Sequence, residues 1–214
     1  MADGHDLFEI MATTRAMRRL KPDPVPEALI AKILEAGQCA PNGGNAQRWR
    51  FLVVKDRAIK QAVQVYYKRA FDEIMGPHYL NSAPPPGMDR ERYLRQRAAA
   101  EYLTDHFHEA PVWIVPCQQS DGLRMANRQS GASIYPAVQN MLLAARALGL
   151  GATLTTRHLM YEKETEAALG LPPDVHSYAI VPIGYPLGRF GAVKRGPLAE
   201  CVYADRWGQP YPGL

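Results

Sequence analysis

One sandwich of helices around a single sheet, mixed α+β or α/β, is the fold class this sequence predicts, and three observations carry the expectation. The 214 residues suffice for one well-cored domain spanning 1–214. Helical and extended apolar patterns alternate along the chain without an internal repeat. Apolar types make up 47% and charged types 21% of the residues, a balance that excludes disordered, collagen-like and low-complexity chains.

From Asp6 to about Arg15, the spacing of Leu7, Phe8, Ile10 and Met11 predicts a short amphipathic helix running into an arginine-rich segment. In KPDPVPEALIAKILEAG, Pro26 suits a first helical turn, Leu29, Ile30, Ile33 and Leu34 form one stripe, and Gly37 suits a stop. The loop CAPNGGNAQ leads to a strand at Arg50–Lys55, after which Asp56 caps a helix reaching about Ile74. Gly76 to Met88 holds four prolines and two glycines in thirteen residues, the composition of a surface loop or lid. A polar helix over about Asp89–His108, a strand at Val112–Cys117 and a long helix over about Ser130–Leu148 follow. Beyond Gly149 and Gly151, an extended Ala152–Thr156, a small helix near Glu162–Leu169 and a strand at Tyr178–Ile183 precede an irregular tail.

Charge and cysteines narrow the function classes. A net charge of +4 is too weak to imply a nucleic-acid or membrane partner. Cys39, Cys117 and Cys201 stand far apart without a CxxC pair, which suits a reducing cytoplasm and argues against a disulfide framework or a cysteine-rich metal site. The first residues carry no apolar leader, and every apolar stretch is shorter than a membrane span. Gly149-Leu-Gly151 follows a helix where a dinucleotide fingerprint must follow a strand, and neither a phosphate-loop nor a GxSxG motif is present. His106 and His108 lack metal-ligand spacing and read as surface residues, so no metal is expected.

Three segments could carry chemistry. Arg15, Arg18, Arg19 and Lys21 fall within seven residues, and guanidinium forks suit bidentate capture of phosphate; on a helix Arg15 would share a face with Arg18 or Arg19. A solvated basic face is the plainer alternative. In APNGGNAQRW, the glycines permit close backbone approach to a ligand, while Asn42, Asn45 and Gln47 offer amide donors and acceptors for a heterocycle edge; an ordinary turn reads equally from the same residues. Arg189, Lys194 and Arg195 punctuate a glycine-rich tail. The aromatics around the proline-rich segment, Tyr66 to Phe107, serve packing and substrate stacking alike.

The order of four segments is specific: TTRAMRRLK, then APNGGNAQRW, then ASIYPAVQNMLLAARALGLGATLTT, then IGYPLGRFGAVKRGPL. Together they resemble the FMN-dependent nitroreductase family over nearly the whole chain outside an insertion at about 66–109. The resemblance implies an α+β fold with helices around a mixed sheet, an intimate homodimer, and FMN at the subunit interface. The family's Arg-Arg-Ser-x-Arg aligns with Thr14 to Arg18, so Arg15 and Arg18 are implied at the flavin phosphate and the ring's pyrimidine end. Ala16 stands at the serine and Thr14 at the first arginine, and Arg19 is the alternative if the alignment slips by one.

Pro-Ser-x-x-Asn-x-Gln-Pro-Trp resembles Pro41 to Trp49, with Asn42 at the serine, Asn45 and Gln47 matching, and Arg48 at the second proline. Gln47 is thereby implied at the flavin ring edge, Leu154, Thr155 and Thr156 beside N5 and O4, and Lys194 and Arg195 at the phosphate. The implied activity is ping-pong oxidoreduction, in which NADPH or NADH donates a hydride and a nitroaromatic, quinone or other electron-poor small molecule is reduced in the same cavity. No side chain is required as a nucleophile. Dehalogenation, enone or aldehyde reduction and dimethylbenzimidazole synthesis belong to the same resemblance. A non-catalytic flavin-binding protein and a nucleic-acid patch are competing readings from other classes.

Overall fold

The computed structural model describes residues 6–120 and 128–214. Its organising element is the strand β2 (Val112–Gln119), whose first six residues are buried. Val112 and Ile114 point into one cluster, Trp113, Val115 and Cys117 into another, so the period-two alternation of a two-sided strand divides the core. On one side of β2 lies β1 (Trp49–Val54), paired from Trp49 opposite Gln118 to Val54 opposite Trp113. On the other lie β5 (Val181–Gly184) and then β3 (Gly151–Ala152), giving the order β1-β2-β5-β3, while β4 (Val175–Ser177) pairs with the far end of β2. Every one of these pairings is antiparallel, where the family resemblance implied a mixed sheet.

Two helices cover the first face. In α2 (Glu27–Gln38) the predicted stripe buries Ile30 and Ile33, and in α6 (Arg128–Ala147) Val138, Met141 and Ala145 meet them over β2 and β5. Gly37 is not a stop: it lies inside α2, where an added Cβ would strike Met141, and the helix ends one residue later. Pro26 sits at the cap of α2, one position earlier than the sequence suggested.

The second face is covered by α3 (Arg57–Ala70), α5 (Arg90–Asp105) and α7 (Glu162–Ala168). Asp56 and Asp89 cap the first two as their side chains accept from the amides of Ile59 and Arg92. Here Tyr67 stacks on Phe107 with ring centroids 4.0 Å apart, and Phe107 packs on Trp113 at 4.2 Å. The indole N–H of Trp113 donates to the Phe107 carbonyl at 3.1 Å, satisfying a polar atom in an otherwise apolar centre.

The segment expected as a loop or lid from Gly76 is partly helical. A π-helical turn at Phe71–Met75 extends α3 and runs into α4 (Gly76–Asn81), leaving 82–88 irregular. Pro77 is the second residue of α4, directly after the π-turn. His106 and His108 are half-buried rather than surface residues, held at the turn after α5. The first helix, α1 (Leu7–Thr13), buries Ile10 but leaves Phe8 75% exposed and Leu7 57%. No helix among the described residues is long and apolar enough to cross a membrane.

Candidate functional site

After Thr13 the chain leaves its helix, and the basic segment is extended, contrary to the shared helical face considered above. It is threaded between β3 and the irregular tail. Met17 N donates to Ala152 O at 3.0 Å, Leu187 N to Arg19 O at 3.0 Å, Lys21 N to Tyr185 O at 2.8 Å, and Val193 N to Ala12 O at 2.8 Å. Leu20 bridges Pro186. Met17 is the buried anchor, while Arg15, Ala16 and Arg19 are exposed and Arg18 is half-buried.

This threading assembles three of the sequence-predicted groups. Gly191 stands so close to the first that a Cβ there would lie 3.7 Å from the Arg15 guanidinium, and the Val193 bond lays exposed Lys194 and Arg195 alongside the same stretch. Leu154, Thr155 and Thr156 continue from β3, with Leu154 and Thr156 exposed. Thr155 exchanges main-chain bonds with Ile180 at 2.9 and 3.1 Å, and its hydroxyl meets the Tyr67 hydroxyl at 2.9 Å. Arg19 leaves the cluster and lies 4.6 Å over the Tyr102 ring, whereas Arg18 acts electrostatically on Tyr67.

The loop of Asn42, Asn45 and Gln47 is not brought to these residues within one chain. It precedes β1, which is at the opposite end of the sheet order from β3. Its backbone is nonetheless tightly shaped: Gly44, Asn45 and Gln47 all have positive φ, at 62°, 50° and 48°. Gln47 in the left-handed region costs on the order of 1–2 kcal/mol, Asn45 less because asparagine adopts that region readily, and such cost concentrates at ligand sites. The Asn42 side chain accepts from Gln47 N at 2.9 Å, and Gln47 Nε2 donates to Asn45 Oδ1 at 3.3 Å. Beside the loop is a cavity of about 200 Å³ whose lining includes Asn42, Gly43, Trp49, Ser133, His176 and Tyr178.

Two features escaped the reading of the sequence. Arg157 follows the Leu154–Thr156 segment immediately, half-buried with its guanidinium 4.4 Å over the Tyr67 ring and 4.9 Å over Phe71. The signal was present in TLTTRH, one residue past the motif. Burial raises the Tyr67 phenol above its ordinary pKa, and the positive charge of Arg157 opposes that rise. Elsewhere, ligand atoms of Glu162, Glu166 and His176 lie within 4.8 Å of one another, but Glu166 Oε1 already accepts from Ser177 N and Oγ. Burial pushes the Cys117 thiol up to about 12, so it is inert at neutral pH.

The chain is thus an α+β sandwich that threads an arginine-rich strap beside an exposed threonine segment and a basic tail. A family model described as Nitroreductase family matches residues 11–185, and the chain belongs to that family. A protein of Thermus thermophilus named NADH dehydrogenase is 30% identical over 205 residues, covering 88% of this chain and 90% of its own length. The NAD(P)H nitroreductase homologue YfhC of Bacillus subtilis strain 168 is 26% identical over 194 residues, 91% of each chain. Among solved structures, a nitroreductase homologue in complex with FMN from Desulfovibrio desulfuricans superposes with a TM-score of 0.70 at 25% identity, covering 95% of this chain and 99% of that one.

Proposed function

We propose that the chain is an FMN-dependent, NAD(P)H-driven oxidoreductase that acts as a cytoplasmic homodimer and reduces nitroaromatic, quinone or other electron-poor small molecules. The observation that carries this reading is the strap: main-chain hydrogen bonds from Met17 to Ala152 and from Val193 to Ala12 hold the stretch that bears Arg15 and Arg18 beside β3 and the basic tail. The donor set fits FMN. A phosphate dianion needs several cationic donors, which exposed Arg15, Lys194 and Arg195 supply on one side. Half-buried Arg18 would meet the negative charge that gathers at the ring's pyrimidine end on reduction. Ala16 contributes backbone where the family has a serine hydroxyl, and the amides of Leu154 and Thr156 orient the ring edge, with Thr155 between them bonded to Ile180. Bound FMN would supply the two-electron redox chemistry that no side chain here provides.

A dimer accounts for the separation of the two groups of predicted residues. Asn42, Asn45 and Gln47 sit at the β1 end of the sheet and the strap at the β3 end, so the amide loop of one protomer completes the site of its partner. Supporting this are Phe8, 75% exposed on α1, and Trp207, 88% exposed in the tail, large apolar groups that an intimate partner would cover. Gln47 is then the residue at the ring edge.

Visible absorbance of the purified protein, before and after anaerobic addition of NADPH or NADH, tests the reading. Flavin bands that bleach are expected, and the faster donor identifies the preference. Bands that resist both donors leave a flavin carrier, and a colourless protein that cannot be reconstituted overturns the proposal. Arg15→Ala and Arg195→Ala are each expected to lower FMN affinity about ten-fold, the scale of one charge-assisted hydrogen bond. Gln47→Ala is expected to shift the flavin spectrum or potential without changing dimerisation.

A further inference from the structure

Leu154, Thr155 and Thr156 lie between the two-residue strand β3 and the 3-10 turn at Arg157–Tyr161, so little regular structure holds them. Leu154 and Thr156 are exposed, and neither of their amides donates to a backbone carbonyl among the described residues. Half-buried Thr155 is the attachment point. Its N–H donates to Ile180 O at 3.1 Å and its carbonyl accepts from Ile180 N at 2.9 Å, which fixes the main chain along one edge. In an extended chain successive N–H groups face opposite edges, so this pairing turns the amides of Leu154 and Thr156 away from Ile180. Two bonds at one residue still leave the segment free to rock about them.

The side chain supplies a third tie. Thr155 Oγ1 lies 2.9 Å from the Tyr67 hydroxyl, a contact that joins α3 to this segment across 88 residues of sequence. Tyr67 is fully buried, its ring stacked on Phe107 and covered by the Arg157 guanidinium. A ring enclosed in this way holds its hydroxyl in one place, and among the described residues Thr155 is its one hydrogen-bonding partner. The strap's Arg18 acts electrostatically on the same phenol, so Tyr67 lies where the strap and the Leu154–Thr156 segment approach each other. It stands in α3, outside the four segments that carry the candidate cofactor contacts.

We infer that Tyr67 is a positioning residue that, through the Thr155 hydroxyl, fixes the direction in which the amides of Leu154 and Thr156 meet the cofactor ring. The inference rests on the proposed FMN site for the ligand those amides meet. Tyr67 is enclosed and touches no ligand itself; its effect passes through one oxygen.

The test uses the full-length protein as purified, FMN-loaded where it takes up FMN. Tyr67→Phe keeps the packed ring and deletes only the hydroxyl; it is compared with Thr155→Val, Thr155→Ser and the double variant of Tyr67→Phe with Thr155→Val. Tyr67→Phe is expected to weaken FMN binding about five-fold, the scale of one neutral hydrogen bond, and to shift the visible flavin bands. In the Thr155→Val background the same substitution is expected to change neither, because the oxygen it acts through is gone. Thr155→Ser keeps that oxygen and is expected to retain most of the wild-type affinity. Hydrogen exchange read by NMR needs no flavin: the Thr155 and Ile180 amides are expected to exchange about five-fold faster in Tyr67→Phe, while the amides of β2 keep their wild-type rates.

Wild-type affinity and bands in Tyr67→Phe overturn the inference. So does a loss that recurs undiminished in the Thr155→Val background, since Tyr67 then acts by another route. Exchange that quickens equally in β2 also overturns it, because the hydroxyl then serves general stability. A protein that takes up no FMN sinks the proposed function, while the exchange comparison still decides whether Tyr67 holds the segment.

Discussion

The strap of Arg15–Arg19 and the loop of Asn42–Gln47 carry the same expectation of cofactor contact, but the fold holds them by different means. The strap is bonded through its main chain to Ala152, Tyr185 and Leu187, elements of the sheet or its direct continuation, with Met17 buried beneath it. The loop is bonded mostly to itself through Asn42, Asn45 and Gln47, and reaches the body through Ser133 Oγ at 3.2 Å and, at its end, through Gln119. A group fixed by the sheet is ready within one protomer. A group that sets its own shape and faces outward is suited to completing a surface other than its own.

The largest expected effect is acid sensitivity, and it falls on the segment that follows Thr156. His158, one residue beyond Arg157, is fully buried; its Nε2 lies 3.2 Å from Ser177 Oγ, and its Nδ1 has no partner. Burial lowers its pKa from 6.5 to about 4. Above pH 6.5 both folded and unfolded chains carry a neutral imidazole, so no stability is at stake. As the pH falls below 6.5 the unfolded chain takes up the proton first, and stability drains away until about pH 4, by about 3 kcal/mol in all. Denaturant titrations at pH 7.5 and 5 are expected to show a smaller difference for His158→Gln than for wild type. Equal differences would show that the buried imidazole is no such acid trigger.

A pair of glycine substitutions sharpens the contrast. At Gly151 a Cβ would meet Met17 Cβ at 2.9 Å, Leu20 Cδ2 at 3.0 Å and Pro186 Cβ at 3.1 Å, so the strap passes where only hydrogen fits. Gly44 has nothing within 4 Å, and only its φ of 62° resists a side chain. Gly151→Ala is expected to cost about 2 kcal/mol by overpacking, and to loosen the strap. Gly44→Ala is expected to cost about 1 kcal/mol by backbone strain alone. Thermal melts of the two variants rank them, and the reverse order would mean that the strap yields more easily than its packing implies.

Legibility in the sequence follows the same division. The stripe of α2, the alternation in β2 and the Asp56 and Asp89 caps are local patterns, and each reads directly as structure. The extended course of the strap is not legible in the sequence because its partners, Ala152 and Tyr185, lie in the distant second half of the chain and leave no mark near Arg15. The helix at Gly76–Asn81 was hidden by its proline and glycine content, since a π-turn from α3 supplies the start that composition alone denies. Candidate flavin contacts could be named from motif order, whereas Arg157 needed the tertiary packing of α3 against the turn that follows Thr156.

The smallest effect belongs to the loop. Asn42 Oδ1 is the acceptor that closes the turn on Gln47 N, and Gln47 sits at a φ of 48° that an unbraced glutamine rarely adopts. Removing that acceptor in Asn42→Ala leaves an exposed amide that water can satisfy, so the expected cost to folding is only about 0.5–1 kcal/mol. The consequence should fall instead on what the loop presents. If Gln47 of one protomer meets the cofactor of its partner, Asn42→Ala shifts the flavin spectrum in the same direction as Gln47→Ala while the melting temperature hardly moves. A variant with a native spectrum and a lowered melting temperature would make the loop a brace for β1, and would leave the strap to hold the cofactor without it.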